Sequence, residues 1–336
     1  MKTIMQDIAS LAGVSPGTVS NALNNRKGVG IETKEKILKI AEELGYNRSS
    51  KDEPKVIRLI IFKKHGYVVS DTPFFSALIE GIERECRVEG FEMLIYHIGH
   101  KEYNAEAMQE IIKQEQIAGV LLLATEMEEV DLEPFESINI PLVILDSYFD
   151  NVNFDQVLIN NSKGACQAVR HLVKNGHKEI GCLGSSKFIQ NFHYRHEGYR
   201  KALKEAKLET NKDFEFILEP TLEGAYRDMS NILKNKALKL PTAFFALNDL
   251  IAFGAMRAMK ESGISIPEQV SIIGFDDLPF CEFINPRLTT VKVSTEYLGK
   301  TAVKRLLENI AEENEVAQKI EIDTKLIERE SVNKIK

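Results

Sequence analysis

Residues 7–25 read DIASLAGVSPGTVSNALNN. Ile4, Ile8 and Leu11 recur at helical spacing, and Met5 and Ala12 widen that stripe. Gly13 stands where a left-handed residue ends a helix. Ser15 suits the cap of a second helix and Pro16 its first turn, with Val19, Ala22 and Leu23 inward. Thr33 to Leu44 predicts a third helix, with Ile37, Ile40, Ala41 and Leu44 inward and Gly45 at its end. Three short helices around one small core, with a tight turn between the first two, is the helix-turn-helix plan. Pro16, Gly17, Ser20 and Asn21 are then left on the outward side of the second helix. Small polar side chains there can enter a major groove and reach base edges. Ser15, Thr18 and the helix N-terminus can meet phosphates. A plain three-helix bundle would show the same spacing, so spacing alone leaves both readings open.

The rest of the chain sets bounds on these readings. Its 336 residues are 43% hydrophobic and carry a net charge of −7, which excludes a protein that is basic all over. Residues 1–50 hold seven Lys/Arg and five Asp/Glu, so the excess positive charge lies at the N-terminal end. The four cysteines Cys86, Cys166, Cys182 and Cys281 are widely spaced, as reduced thiols in the cytosol are. No apolar run approaches the roughly 18 residues of a membrane helix, and MKTIMQDIAS lacks the apolar run of a signal peptide. The expectation is a cytoplasmic protein that makes no membrane contact.

From Val56 onward, short apolar runs alternate with amphipathic helical ones. VIRLIIF precedes a helix from Phe74 to Glu89, and FEMLIYHI one from Asn104 to Gln114; GVLLLA and PLVILD follow. Beyond Asn160 the rhythm restarts with GACQAVRHLVKN, EIGCLG, RHEGYRKALKEA, FEFILE, AFFAL, a helix from Asp249 to Glu261, and VSIIGFD. Such alternation predicts parallel sheets covered on both faces, and two series in succession predict two α/β subdomains. Ligands in open parallel sheets sit beyond the carboxyl ends of the strands. Asp146 after LVIL, Asn248 after FFAL and Asp276 after IIGF are therefore the residues to watch, although each could also be a helix cap.

The N-terminal stretch, together with ETKEKILKIAEELGY, resembles the headpiece of LacI-family transcription regulators. The pattern is carried by Ala12, Gly13, Val14, Ser15, Thr18, Val19, Ser20, Leu23 and Asn24. The body is similar to that family's effector domain, which shares its fold with periplasmic sugar-binding proteins. GHKEIGCLG, YRHEGYRKAL, FFALNDLIAFGAMRAM, GISIPEQVSIIGFDD and PRLTTVKV match family blocks in order. The resemblance implies an α/β chain. Residues 1–46 would form a three-helix DNA-binding head, 47–55 a linker, and 56–336 a periplasmic-binding-protein-like (type I) effector domain with parallel sheets. The N-subdomain would span about 56–159 and the C-subdomain about 160–288, each with part of the C-terminal region. It implies Ser15, Pro16, Gly17, Thr18, Ser20, Asn21 and Asn24 at DNA, and Phe74, Phe75, Asp146, Arg195, Asn248 and Asp276 at an effector.

Two departures from the family stand out. NRSSKDEPK lacks the Ala-Arg-x-Leu segment with which relatives form a hinge helix and wedge a leucine into the minor groove, so no such wedge carries over. Asn160 stands where many relatives have Asp, which removes a charge at the mouth of the cleft.

Chemically the effector set suits a sugar: carboxylates and Asn bridge hydroxyls, Arg donates a planar fork, and an aromatic covers the ring. A purine or nucleoside corepressor is the alternative effector. The expected partners are double-stranded operator DNA, a small sugar-like effector and a second copy of the chain in a two-fold dimer. An enzyme is not expected. Adjacent Asp276 and Asp277 on an extended strand point oppositely, and no nucleotide-binding or nucleophile motif occurs. His171, His177, His193 and His196 lack metal-ligand spacing, so neither metal nor cofactor is expected. A solute receptor fits the body alone, but not the head or the missing signal peptide.

Overall fold

The structure is a computed structural model. It describes residues 2–23, 29–44, 56–69, 72–104, 106, 108, 117–136, 138–235, 237–312 and 316–335, with side chains from Met5 onward except that of Glu42. Asn24, the linker 47–55 and most of the helix expected over Asn104–Gln114 lie outside the described residues. The chain forms two compact units, Met1–Pro54 and Lys55–Lys336.

The first unit holds α1 (Lys2–Ala12), α2 (Pro16–Leu23) and α3 (Ile31–Glu43). Its core is Ile8, Ala9, Ala12, Val19, Ala22, Ile37 and Ala41, flanked by half-buried Met5, Leu23 and Ile40. Gly13 has φ +73°, as a helix-ending residue in the left-handed region does. The Ser15 Oγ accepts from the Thr18 amide at 3.1 Å and so caps α2. Lys36 Nζ donates to the Ala12 carbonyl at 3.1 Å and fastens α3 to the end of α1. Leu11 and Leu44, expected inward, are 59% and 43% exposed. At 3.6 residues per turn, Leu11 lies about 110° from the centre of the Met5–Ile8–Ala9–Ala12 stripe. Small residues occupy the inner line because the three helices approach closely there.

The second unit is built on two six-stranded sheets. The first runs β11 (Lys319–Ile322), β5 (Asp155–Ile159), β4 (Leu142–Leu145), β3 (Ile117–Leu123), β1 (Val56–Lys63), β2 (Glu92–Gly99), all parallel. The second runs β12 (Lys325–Ile327), β10 (Thr289–Lys292), β9 (Ser271–Asp276), β8 (Ala243–Ala246), β6 (Ile180–Ser185), β7 (Glu215–Leu218), and only β12 is antiparallel to its neighbour. The interior strands β3, β4, β5 and β8 are buried along their whole length, which is why their sequences are apolar runs rather than alternations.

Six helices complete the unit: α4 (Pro73–Val88), α5 (Asn161–Lys174), α6 (Gln190–Glu205), α7 (Leu222–Leu233), α8 (Asp249–Glu261) and α9 (Thr295–Ala311). The chain passes between the sheets after β5, after β10 and again between β11 and β12. The last two passages return α9 and β11 to the first half. There α9 packs on α4 so closely that a Cβ on Gly81 would lie 2.9 Å from the Glu296 Cα. A buried ion pair fixes α9 to β5: Arg305 Nε donates to Asp155 Oδ1 at 2.8 Å. No described helix is long and apolar enough to cross a membrane.

Candidate functional site

The two sheets present their strand ends to one cleft of about 450 Å³, within the range of small-molecule sites. Phe74, Phe75, Asp146, Arg195, Asn248 and Asp276 all line it. Phe74 and Phe75 open α4, their rings edge to face at 5.0 Å between centroids. Asp146 follows β4 and Asp276 ends β9. Their φ values of 62° and 117° are left-handed, a conformation that non-glycine residues rarely hold.

Arg195, on α6, is the hub. Nε donates to Asn161 Oδ1 and Nη1 to the Leu247 carbonyl, both at 2.8 Å. The guanidinium lies 3.8 Å from the Phe275 ring centroid. Nη1 is also 3.0 Å from Asp276 Oδ1, but off the line of its N–H bonds. That carboxylate oxygen is therefore buried without an aligned donor among the described residues. Asp146 is better served: Thr125 Oγ1 donates to Oδ2 at 2.6 Å, and Asn191 Nδ2 to Oδ1 at 3.1 Å.

Burial pushes the Asp146 carboxyl up to about 6 against the pull of Thr125, Arg195 and Asn191. Burial also raises Asp276, opposed by Arg195 and reinforced by the charges of Asp249 and Asp146. Asp249 lies behind the cleft floor and is raised by burial too. It accepts from Thr290 Oγ1 at 2.6 Å and from the Leu278 amide at 2.8 Å, and so holds the loop after β9. Gly274 makes room for it, since a Cβ there would lie 2.1 Å from Asp249 Oδ1.

Asn248 is both cleft lining and helix cap, its Oδ1 accepting from the Ile251 amide at 2.9 Å. Asn160 caps α5 and donates to Asp323 Oδ1 at 3.1 Å, and it is not among the residues lining the cleft. Asp277 turns away from Asp276 toward Arg329 Nη2 at 2.8 Å, so the adjacent carboxylates share no site. Among the described residues no group of three His, Cys, Asp or Glu could hold a metal ion. The sequence reading missed Thr125, Asn161, Asn191 and Phe192. Thr125 lies just past β3, where the strand-end rule would have found it, and Asn191 lies one helical turn before Arg195.

In the first unit, Ser15, Pro16 and Gly17 are exposed at the N-terminus of α2, and Thr18, Ser20 and Asn21 are half-buried along it. The comparisons agree with both units. Residues 4–49 match the bacterial regulatory proteins of the lacI family, and residues 169–332 a periplasmic binding protein-like domain. The repressor PurR of Mannheimia succiniciproducens is 34% identical over 100% of both chains. The chain belongs to the LacI family.

Among solved structures, the regulator CelR in complex with cellobiose superposes with a TM-score of 0.74 at 26% identity, covering 97% of this chain and 99% of that one. The lac repressor dimer bound to operator and the anti-inducer ONPF superposes with a TM-score of 0.73 at 25% identity, covering 97% and 98%. As a LacI-family member the chain couples a helix-turn-helix unit to a periplasmic-binding-protein-like unit.

Proposed function

We propose that this chain is a transcriptional repressor that grips operator DNA through α2 of each protomer of a homodimer and takes a purine base or nucleoside in its cleft. Two recognition helices related by a two-fold axis can read half-sites one helical turn, about 34 Å, apart. The observation that carries the effector reading is the meeting of an aromatic pair with groups of both hydrogen-bonding senses. Phe74 and Phe75 offer ring faces and edges, Asp276 Oδ1 awaits a donor, and Arg195 donates beside it. A purine has a flat apolar face and an edge of ring N–H, amino and carbonyl groups, which matches that arrangement. The full-length relative named PurR supports a purine over a sugar.

The cellobiose complex of CelR favours a second reading, a sugar, whose hydroxyls would also satisfy the carboxylates. A thermal-shift panel of purine bases, nucleosides and sugars separates the two. A ligand at a hundred times its dissociation constant stabilises by about 2.7 kcal/mol. A shift with adenine, guanine, hypoxanthine or their nucleosides supports the proposal. A shift with sugars alone replaces purine by sugar, and no shift with any of them removes the effector reading. Band shifts with and without the active compound then read its effect on DNA binding.

A further inference from the structure

We propose that the cleft takes an uncharged, unphosphorylated effector that donates hydrogen bonds to Asp276 and Asp146, and that it rejects the phosphorylated forms of that compound. This rests on reading the cleft as the effector site, and it names the charge class of what enters.

The described lining holds two carboxylates, Asp146 and Asp276, and one cation, Arg195. That cation is already engaged by the Asn161 side chain, the Leu247 carbonyl and the Phe275 ring face. A third carboxylate, Asp249, lies fully buried behind the floor. Lys187 is not part of the lining; its Nζ lies over the Tyr67 ring, 4.6 Å from the centroid.

The helix ends offer an anion little more. The first residue of α4 is Pro73, which has no N–H, and the Ile251 amide of α8 is held by Asn248. A phosphate dianion would face like charges in a poorly screened site with no uncommitted cation among the described residues. Hydroxyl, amino and ring N–H groups would meet the reverse situation. Asp276 Oδ1 is buried and lacks an aligned donor, and such an oxygen is costly until a ligand supplies one.

The test is calorimetric titration of the full-length protein with matched pairs. The pairs are adenosine, guanosine and inosine against their 5′-monophosphates, and ribose against ribose 5-phosphate. Binding of an unphosphorylated member at least about 100-fold tighter than its phosphorylated partner supports the proposal. Equal or tighter binding of a phosphorylated member overturns it while leaving the effector reading intact.

A second arm needs no cognate ligand. Inorganic phosphate is titrated into the wild type, into Asp276→Asn, and into the double variant Asp146→Asn/Asp276→Asn, at constant ionic strength. The proposal requires phosphate binding to tighten at least about tenfold on removing the carboxylate charge, with the folded state of each variant checked by circular dichroism. Phosphate binding that is the same in wild type and variants overturns it. If no pair binds in the first arm, the purine and ribose readings fall, and this arm alone decides the charge class.

Discussion

Asn191 Nδ2 donates to both the backbone oxygen and Oδ1 of Asp146, each at 3.1 Å. Asp146 follows a strand of the first sheet, and Asn191 opens the helix that follows β6 of the second, so one amide joins the two halves of the cleft. Asn191→Ala leaves a buried carboxylate short of a donor, at a cost of about 1–3 kcal/mol. Asn191→Asp costs more, because it sets a second carboxylate against the first. Thermal melts check the order wild type, Ala, Asp, and an unchanged melting temperature for Ala would remove the cross-cleft bond as a stabilising contact.

Arg195 is a strut of the C-terminal half as well as a cleft group. It is 3% exposed and holds Asn161, Leu247 and Asp276 together. Arg195→Ala strands the Asp276 charge, so a loss of about 3–5 kcal/mol is expected. Arg195→Lys keeps the charge but loses the fork, so effector affinity should fall further than stability does. Chemical denaturation paired with effector titration separates the two, and equal proportional losses in both would contradict the role of the fork.

The two-sheet body was legible because buried parallel strands are continuous apolar runs with polar residues at their ends. That rule singled out Asp146, Asn248 and Asp276, and the family blocks added Arg195, Phe74 and Phe75. The C-terminal exchange was not legible: β10, β11 and β12 are only three or four residues long, too short for a period to show. Leu11 misled because a 3.6-residue period fixes a face but not its centre, and alanines hold the centre here. Asn191 and Thr125 carry no pattern of their own; only the tertiary fold gives them Asp146 as a partner.

Asp146 has its carboxyl raised to about 6 by burial, from an ordinary 3.8. A ligand that donates to Asp146 needs the ionised form, so effector affinity should be highest above pH 6 and fall as pH drops through it. The stability effect runs the other way: the contribution of a raised carboxyl is fully present below 3.8 and lost as pH rises through 6. Thr125→Val removes a bond to the carboxylate and should move the binding midpoint upward. Titrations between pH 5 and 8 check this, and a midpoint that Thr125→Val leaves in place would sink the assignment to Asp146.

In the first unit, Ser15 caps α2, so Ser15→Ala should cost the helix about 1 kcal/mol. Asn21 lies further along the same helix. If α2 enters the major groove, Asn21→Ala should weaken binding to a selected operator by about 1–3 kcal/mol and to random DNA far less. Band shifts on both DNAs decide it: equal losses would take Asn21 away from the bases.

Glu126 shows how a residue outside every motif can shape the cleft. Its buried carboxylate accepts from the amides of His65, Gly66, Val68 and Val69 at 2.8–3.0 Å, and His65 Nδ1 lies 3.1 Å away. Burial works against this charge, but the His65 side chain and the backbone N–H groups outweigh it and hold the carboxyl at about 2. The loop so fastened carries Val68 into the cleft lining and sets Tyr67 under Lys187. Glu126→Gln keeps the shape but loses the charge, and its NH2 group would face N–H donors. A loss of about 2–3 kcal/mol is expected, since hydrogen bonds to a charged group are the stronger ones. In the wild type this contribution is present above the ordinary glutamate value of 4.5 and is lost as pH falls through about 2. The wild type and the Gln variant should therefore differ most in stability at neutral pH and converge near pH 2. Amide exchange is the sharper probe. Protection at residues 65, 66, 68 and 69 should fall together in Glu126→Gln while that of β3 is retained, and unchanged exchange at those four amides would show that the carboxylate does not hold the loop.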